Sequence, residues 1–212
     1  MTAVETLQLI AQEAKTCTLC GLHRGRTRAV PGEGHPDAKI MLIGEGPGYH
    51  EDRQGRPFVG PSGQFLDELL AMAGLSRGDV FIGNVVKCRP PQNRDPQPDE
   101  VRTCTETYLF RQIEAIGPRV IVTLGRFSMS LFLPGEKISR IHGQPRTAGG
   151  RLIVPMLHPA AALHQPQNRP LIEADFQRLP EILAQAERDA AAKAAAPAKK
   201  DEEPPLEQLS LF

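Results

Sequence analysis

The sequence predicts an α/β fold of three layers, α/β/α, around a central four-stranded and mainly parallel sheet. Short apolar runs at residues 39–43, 80–86, 120–124 and 152–157 alternate with segments of helical periodicity. Continuous apolar runs are typical of strands buried on both faces, and their alternation with helices favours a parallel sheet. A glycine or a polar residue follows each run and marks the carboxyl end of that strand.

The helices are predicted from apolar residues that recur every three or four positions. In chain order they occupy residues 3–15, 62–73, 98–116, 126–132 and 171–188. Gly74 is the expected C-terminal cap of the second helix, and Pro98 suits the first turn of the third. The longest connections are a basic loop at 21–38, a glycine-rich turn at 44–60 and a proline-rich loop at 87–96.

Length and composition predict one domain with a tail. The chain has 212 residues and 40% hydrophobic residues, enough for a single core. We assign residues 1–188 to the domain, 189–203 to a flexible linker of Ala, Lys, Pro and acids, and 204–212 to a terminal peptide. No apolar run approaches the roughly 18 residues of a membrane span, and the first residues lack the layout of a signal peptide. We therefore expect a cytoplasmic protein without membrane contact. A monomer is also expected.

Polar side chains follow three of the predicted strands. Glu45 comes after the first strand, Asn84 lies in the second, and His158 comes after the fourth. In open parallel sheets, ligands bind beside the carboxyl ends of the strands. These residues are therefore the first candidates for chemistry.

Cys17, Cys20, Cys88 and Cys104 are the only cysteines of the chain. In a cytoplasmic protein four cysteines are not expected to form two disulfides. The Cys-x2-Cys spacing of Cys17 and Cys20 is typical of one half of a metal site. Cys88 and Cys104 are separated by fifteen residues, which is too many for the second half of a zinc ribbon. Spacing alone leaves zinc and an iron–sulfur cluster equally supported, with four unrelated buried cysteines as a third alternative.

Several motifs resemble one family. They are Gly44-Glu45-Gly46-Pro47-Gly48 with Glu51-Asp52, Arg56-Pro57-Phe58-Val59-Gly60, Asn84-Val85-Val86-Lys87-Cys88-Arg89-Pro90-Pro91, and His158-Pro159-Ala160-Ala161. With the order and approximate spacing of the cysteines, they resemble the iron–sulfur uracil-DNA glycosylases, family 4 of the uracil-DNA glycosylase superfamily. The resemblance covers roughly residues 5–185. It implies a [4Fe-4S] cluster on the four cysteines and hydrolysis of the N-glycosidic bond of deoxyuridine in DNA, the first step of base excision repair.

The resemblance also implies residue roles. Phe58 would stack on a uracil flipped out of the helix, and Asn84 would read its Watson–Crick edge. His158 would stabilise the negative charge that develops on uracil O2, in a protonation state that the sequence leaves open. The implied substrate-binding residues are Gly46, Glu51, Phe58, Asn84 and His158, and the implied catalytic residues are Glu45, Asn84 and His158.

Two roles are open for Glu45. Its carboxylate would orient the attacking water, or it would stabilise the cationic sugar of the transition state. A third possibility is that Glu45 acts through hydrogen bonds that hold the glycine-rich turn.

Contacts to DNA are also expected. Leu163 is the candidate wedge that fills the gap left by the flipped base, and Arg89 and Arg140 are candidates for phosphate contacts. The wider set of candidate phosphate contacts adds Arg24, Arg26, Arg28 and Lys87. Binding to DNA would associate this cytoplasmic protein with the nucleoid.

The last residues resemble the peptide with which bacterial proteins bind the DNA polymerase sliding clamp. Gln208, Leu209, Leu211 and Phe212 are the expected partner-binding residues, on a tether that lets the enzyme search nearby DNA. The alternative function is a clamp-associated DNA-binding protein that has a structural metal and no glycosylase turnover. A glycosylase for other deaminated bases is a further alternative.

Overall fold

The computed structural model describes residues 1–195 as one α/β domain. The terminal peptide and most of the predicted linker lie outside the described residues. The strands are β1 (Glu33–Gly34), β2 (Ile40–Gly44), β3 (Val80–Asn84), β4 (Val120–Leu124), β5 (Arg146–Ala148) and β6 (Arg151–Met156).

The sheet is mixed and has six strands in the order β1-β3-β2-β4-β6-β5. Its four central strands β3, β2, β4 and β6 are parallel and correspond to the four apolar runs. The predicted total of four strands was wrong, because β1 and β5 pair antiparallel at the two edges. These edge strands have two and three residues, none of them fully buried, so they leave no apolar run in the sequence.

The predicted helices occur in the predicted order, but the structure also has helices that were not predicted. The helix bounds are α1 (Ala3–Thr16), α2 (Tyr49–Gln54), α3 (Pro61–Met72), α4 (Pro98–Cys104), α5 (Phe110–Ile116), α6 (Arg126–Phe132), α7 (Ile138–Ile141), α8 (Ala160–His164), α9 (Arg169–Gln177) and α10 (Leu179–Ala195). A π-helical turn at Thr105–Leu109 joins α4 to α5, so these form the single long helix that was predicted. The short helices α2, α7 and α8 were not predicted, and the helix expected at 171–188 is divided into α9 and α10. The residues of α2 have no apolar stripe, and the last helix ends at Ala195 rather than at residue 188.

Two apolar clusters cover the faces of the sheet. One packs α3, α9 and α10 against one face, and the other packs α1 and the α4–α5 helix against the opposite face. All side chains of β2, β3 and β4 are buried, as the apolar runs predicted. Within residues 1–195, no helix is both long and apolar enough to cross a membrane.

Candidate active site

A pocket of about 650 Å³ opens at the carboxyl ends of β2, β3 and β6. It is lined by all six residues expected to bind or act on the base, namely Glu45, Gly46, Glu51, Phe58, Asn84 and His158. They come from three separate stretches of the chain, and the parallel sheet brings them to one edge.

The ring of Phe58 is fixed in the pocket by its backbone. Phe58 has a φ of 52°, in the left-handed region that a bulky side chain rarely adopts. Arg77 donates to the carbonyl oxygens of Pro57 and Phe58, and Gly63 lets the next helix approach so closely that a Cβ there would lie 1.9 Å from the Phe58 oxygen. The aromatic face is therefore preorganised before any ligand enters.

Glu51 holds the same turn from inside the pocket. Its Oε1 accepts hydrogen bonds from the backbone N–H groups of Val59 and Gly60, both at 2.9 Å. The expected substrate contact of Glu51 stays a prediction. Glu51 thus holds the turn, the role that sequence analysis also considered for Glu45.

Asn84 presents an unpaired acceptor. The residue is 2% exposed, and its Oδ1 has no hydrogen-bond partner among residues 1–195. Gly44 of the neighbouring strand makes room for it, since a Cβ at that position would lie 2.5 Å from Oδ1 and 2.7 Å from the Phe58 ring. A buried oxygen without a partner is costly in the free protein, and at a pocket it marks a place where a ligand donor is received.

Lys87 supports Asn84 from behind. Its Nζ donates to the Asn84 carbonyl oxygen at 2.8 Å and to Gln112 Oε1 at 2.7 Å. Lys87 is 1% exposed, so the expectation that it contacts DNA phosphates was wrong. Its position directly after an apolar run was a signal for burial in the sequence. Arg77, the other supporting residue that sequence analysis missed, left no such signal.

The tautomer of His158 follows from one hydrogen bond. The N–H of Ala160 lies 3.1 Å from His158 Nδ1, and a backbone N–H can only donate, so Nδ1 is the acceptor. Burial lowers the pKa of His158 to about 4, against a smaller opposing effect of the Glu51 charge. The imidazole is therefore neutral at pH 7 and carries its proton on Nε2. The ring also packs beside Phe58, with a centroid separation of 5.6 Å.

Glu45 lines the pocket, and its pKa is shifted. Partial burial raises the pKa of its carboxyl, the charge of Asp95 raises it further, and Arg126 opposes the shift. Asp95 and Arg126 form an ion pair with each other. The charge state of Glu45 is thus tuned by Asp95 of the proline-rich loop and by Arg126 at the start of α6.

Substitutions of this ion pair are expected to move the acidic limb of the pH profile in opposite directions. If cleavage requires the Glu45 carboxylate, kcat/KM falls as pH decreases through its raised pKa. Asp95→Asn removes a negative charge, lowers that pKa and moves the limb to lower pH. Arg126→Gln removes a positive charge and moves it to higher pH. Profiles of kcat/KM against pH test this, and limbs that stay in place would show that Glu45 need not be ionised.

The four cysteines line one cavity on the face of the sheet that packs against α1. Arg26 Nη1 donates to Cys88 Sγ at 3.1 Å, and the N–H of Lys87 donates to Cys104 Sγ at 3.2 Å. Burial is the main cause that raises the pKa of Cys20 and of Cys88, and the pKa of Cys104 rises to about 11. The cavity is thus lined by two buried and two half-buried thiols, and two N–H donors point at the sulfurs of the buried pair.

The expected DNA contacts lie in different settings. Leu163 is 50% exposed on α8, next to the pocket, and Arg140 is exposed on α7. Arg89 is half-buried beside the pocket, where its Nε donates to Asn93 Oδ1. Arg26 is bound to Cys88 and to the backbone of α1.

A model of the uracil DNA glycosylase superfamily matches residues 31–183. The matched range contains all six strands of the sheet and all six residues of the pocket described above. The chain belongs to the uracil DNA glycosylase superfamily.

Within that superfamily, the chain is similar to proteins named type-4 uracil-DNA glycosylase. It is 48% identical over 191 residues to the one from Saccharolobus solfataricus, which covers 85% of this chain and 88% of the relative. It is 46% identical over 188 residues to the one from Archaeoglobus fulgidus, with 84% and 94% covered. A type-5 uracil-DNA glycosylase from Thermus thermophilus is 43% identical, over 50% of this chain. The matches to type-4 proteins thus extend over most of both chains.

Proposed function

We propose that the chain is a uracil-DNA glycosylase that hydrolyses the N-glycosidic bond of a flipped deoxyuridine and leaves an abasic site. The observation that supports this best is the pairing of one buried acceptor with one donor in a single pocket. Asn84 Oδ1 is unpaired among the described residues, and His158 is neutral with its proton on Nε2. A flipped uracil needs an acceptor for its N3–H, a donor for its O2 and an aromatic ring such as Phe58 to stack on.

Recognition rests on the two ends of the Asn84 amide. Its Oδ1 accepts from uracil N3–H, and its NH₂ group donates to uracil O4. Cytosine has an acceptor at N3 and a donor at N4, so it meets like groups in the same orientation. Phe58 stacks on the base face, and the turn held by Glu51 and Arg77 keeps the ring in place.

Bond cleavage leaves the electron pair of the C1′–N1 bond on uracil, where the negative charge spreads to O2. The Nε2–H of His158 donates to O2 and stabilises that charge as it develops. Water adds to C1′ and releases a proton. Glu45 supplies the carboxylate that both of its open roles require, orienting this water or stabilising the cationic sugar.

A duplex oligonucleotide with one uracil tests the function. The protein is expected to release uracil and leave an alkali-labile abasic site, whereas the same duplex with cytosine stays intact. An intact uracil strand, with a fully loaded metal site, would instead support the DNA-binding protein without turnover. Duplexes that contain other deaminated bases test the remaining alternative, a glycosylase whose substrate is a base other than uracil.

We propose further that the four cysteines hold a [4Fe-4S] cluster. A single zinc holds four sulfurs at about 2.3 Å and therefore about 3.8 Å apart. Among residues 1–195, no group of three or more His, Cys, Asp or Glu side chains converges closely enough to bind one ion. The four cysteines line one cavity, and their order along the chain resembles that of the iron–sulfur family, in which a cubane cluster binds each thiolate to a different iron. The cluster would join the end of α1 to the loop after β3, and no step of the hydrolysis passes through it.

The purified protein is expected to be brown, to absorb near 400 nm and to contain about four irons per chain. Cys104→Ser is expected to lose this absorbance, while Thr103→Ala, next to it on the cavity lining, keeps it. Metal analysis by mass spectrometry provides the measurement. Stoichiometric zinc without iron would contradict the proposal.

For the tail, we propose that Gln208, Leu209, Leu211 and Phe212 bind the sliding clamp. A fluorescent peptide of residues 204–212 is expected to bind the clamp at about micromolar Kd. Deleting Leu211 and Phe212 removes two of the large apolar side chains of the peptide and is expected to abolish binding in the same titration. Equal binding by the shortened peptide would contradict the proposed clamp-binding role of Leu211 and Phe212.

A further inference from the structure

A cluster of one tyrosine and two arginines lies on the surface outside the base pocket. Tyr49 is 50% exposed, and its ring lies under two guanidinium groups. The Arg89 carbon Cζ is 5.3 Å from the ring centroid and that of Arg53 is 5.6 Å from it. Arg53 also donates to the Tyr49 hydroxyl at 3.3 Å. The aromatic ring thus gathers two positive charges from separate segments of the chain.

Neither arginine is neutralised by a carboxylate among residues 1–195. Six other arginines of the described range each form an ion pair with an acid, namely Arg56, Arg77, Arg94, Arg111, Arg126 and Arg169. The guanidinium groups of Arg53 and Arg89 therefore each gain from an external anion. Their geometry is preformed, because the ring restricts side chains that otherwise lose rotamer entropy on binding.

The cluster borders the pocket entrance. Gly48 and Pro90 line the pocket and directly adjoin Tyr49 and Arg89 in the chain. The pocket-lining Asn93 accepts a hydrogen bond from Arg89 Nε at 2.7 Å. Ala160 and His164 of α8 also line the pocket, and the exposed Leu163 belongs to the same helix.

We propose that Tyr49, Arg53 and Arg89 form a phosphate clamp for the uracil-containing strand itself. This rests on the proposed function, in which a nucleotide enters the pocket. A flipped nucleotide stays bonded to the phosphates on both sides, so those phosphates remain at the pocket entrance. The clamp therefore binds the backbone beside the flipped uridine and acts equally on single-stranded DNA. Leu163, in contrast, is expected to fill a gap that exists only in a duplex.

Salt titrations of DNA binding test the clamp without requiring cleavage. Affinities for a uracil-free single strand and for the matching duplex are measured by fluorescence anisotropy at several salt concentrations. Arg53→Gln and Arg89→Gln are each expected to reduce the slope of log K against log salt by about one unit on both DNAs. Tyr49→Leu is expected to weaken binding while the slope stays close to that of the unchanged protein. Arg188→Gln, on α10 away from the pocket lining, is the matched control that leaves both quantities unchanged.

Two results would overturn the proposed phosphate clamp. Slopes that equal those of the unchanged protein would show that these arginines do not bind phosphates. A reduction on the duplex alone would assign them to the opposite strand. The proposed function is tested separately by uracil release. If the salt slopes change as expected but no uracil is released, the phosphate clamp is supported and the glycosylase function is contradicted.

Discussion

Replacing His158 by alanine is expected to lower kcat for uracil release by about 10²–10³-fold. The neutral ring directs its Nε2–H into the pocket because Nδ1 accepts from the N–H of Ala160. Alanine removes this donor from the oxygen that gains charge in the transition state. Because the donor acts mainly in the transition state, kcat changes more than KM. Single-turnover cleavage under saturating enzyme measures the effect.

His164→Ala is the matched control, since His164 also lines the pocket but has no comparable burial. We expect little change in kcat for that variant. Because the pKa of His158 is about 4, lowered from 6.5 by burial, kcat is expected to show no titration near pH 6.5. A limb near pH 6.5 that disappears in His158→Ala would show that the imidazole is charged in the working enzyme.

Replacing Asn84 by alanine is expected to lower kcat/KM for uracil by about 10³-fold, or about 4 kcal/mol. The variant leaves uracil N3–H and O4 buried without partners. Asn84→Asp keeps the size of the side chain but exchanges the donor NH₂ for an acceptor, so it is expected to lose activity as well. The thermal stability of Asn84→Ala is expected to stay close to that of the unchanged protein. Asn84 Oδ1 makes no hydrogen bond among residues 1–195 that the substitution would break.

Thr123→Val is the control for this pair of effects. Thr123 Oγ1 is the other buried side-chain oxygen of the described range without a partner, and it lies on β4 rather than in the pocket lining. We expect Thr123→Val to unfold at the same temperature or higher and to keep full cleavage. If Asn84→Ala unfolded well below the unchanged protein, Asn84 would be a structural residue, and the loss of activity would not report on recognition.

The sequence predicted those parts of the fold that depend on local periodicity. The four central strands were found because all residues of β2, β3 and β4 and the last four of β6 are buried, which requires an apolar run. The edge strands β1 and β5 were missed because pairing at an edge uses backbone groups and places little demand on side chains. The helix α2 was missed for a similar reason, since only Glu51 and Asp52 of its residues are buried.

For the candidate site, the sequence supplied the residues and the structure supplied their states. Glu45, Asn84 and His158 were expected from their places at strand ends, which a parallel sheet always brings to one edge. The direction of the His158 proton depends on a single N–H two residues away, and burial sets its pKa. The roles of Glu51 and Lys87 also depend on burial, because the same charged side chains on a surface would face water or phosphate.

By itself, then, the sequence determined the order of the strands and helices along the chain, the residues at the strand ends and the family to which they point. Periodicity, turn residues and motifs are local properties, and they are carried by neighbouring letters of the chain. The tertiary structure alone decided the edge pairing of the sheet, the neutral Nε2–H form of His158, the unpaired Oδ1 of Asn84 and the burial of Lys87. Each of these depends on desolvation and on partners brought together from distant parts of the chain, which only packing specifies.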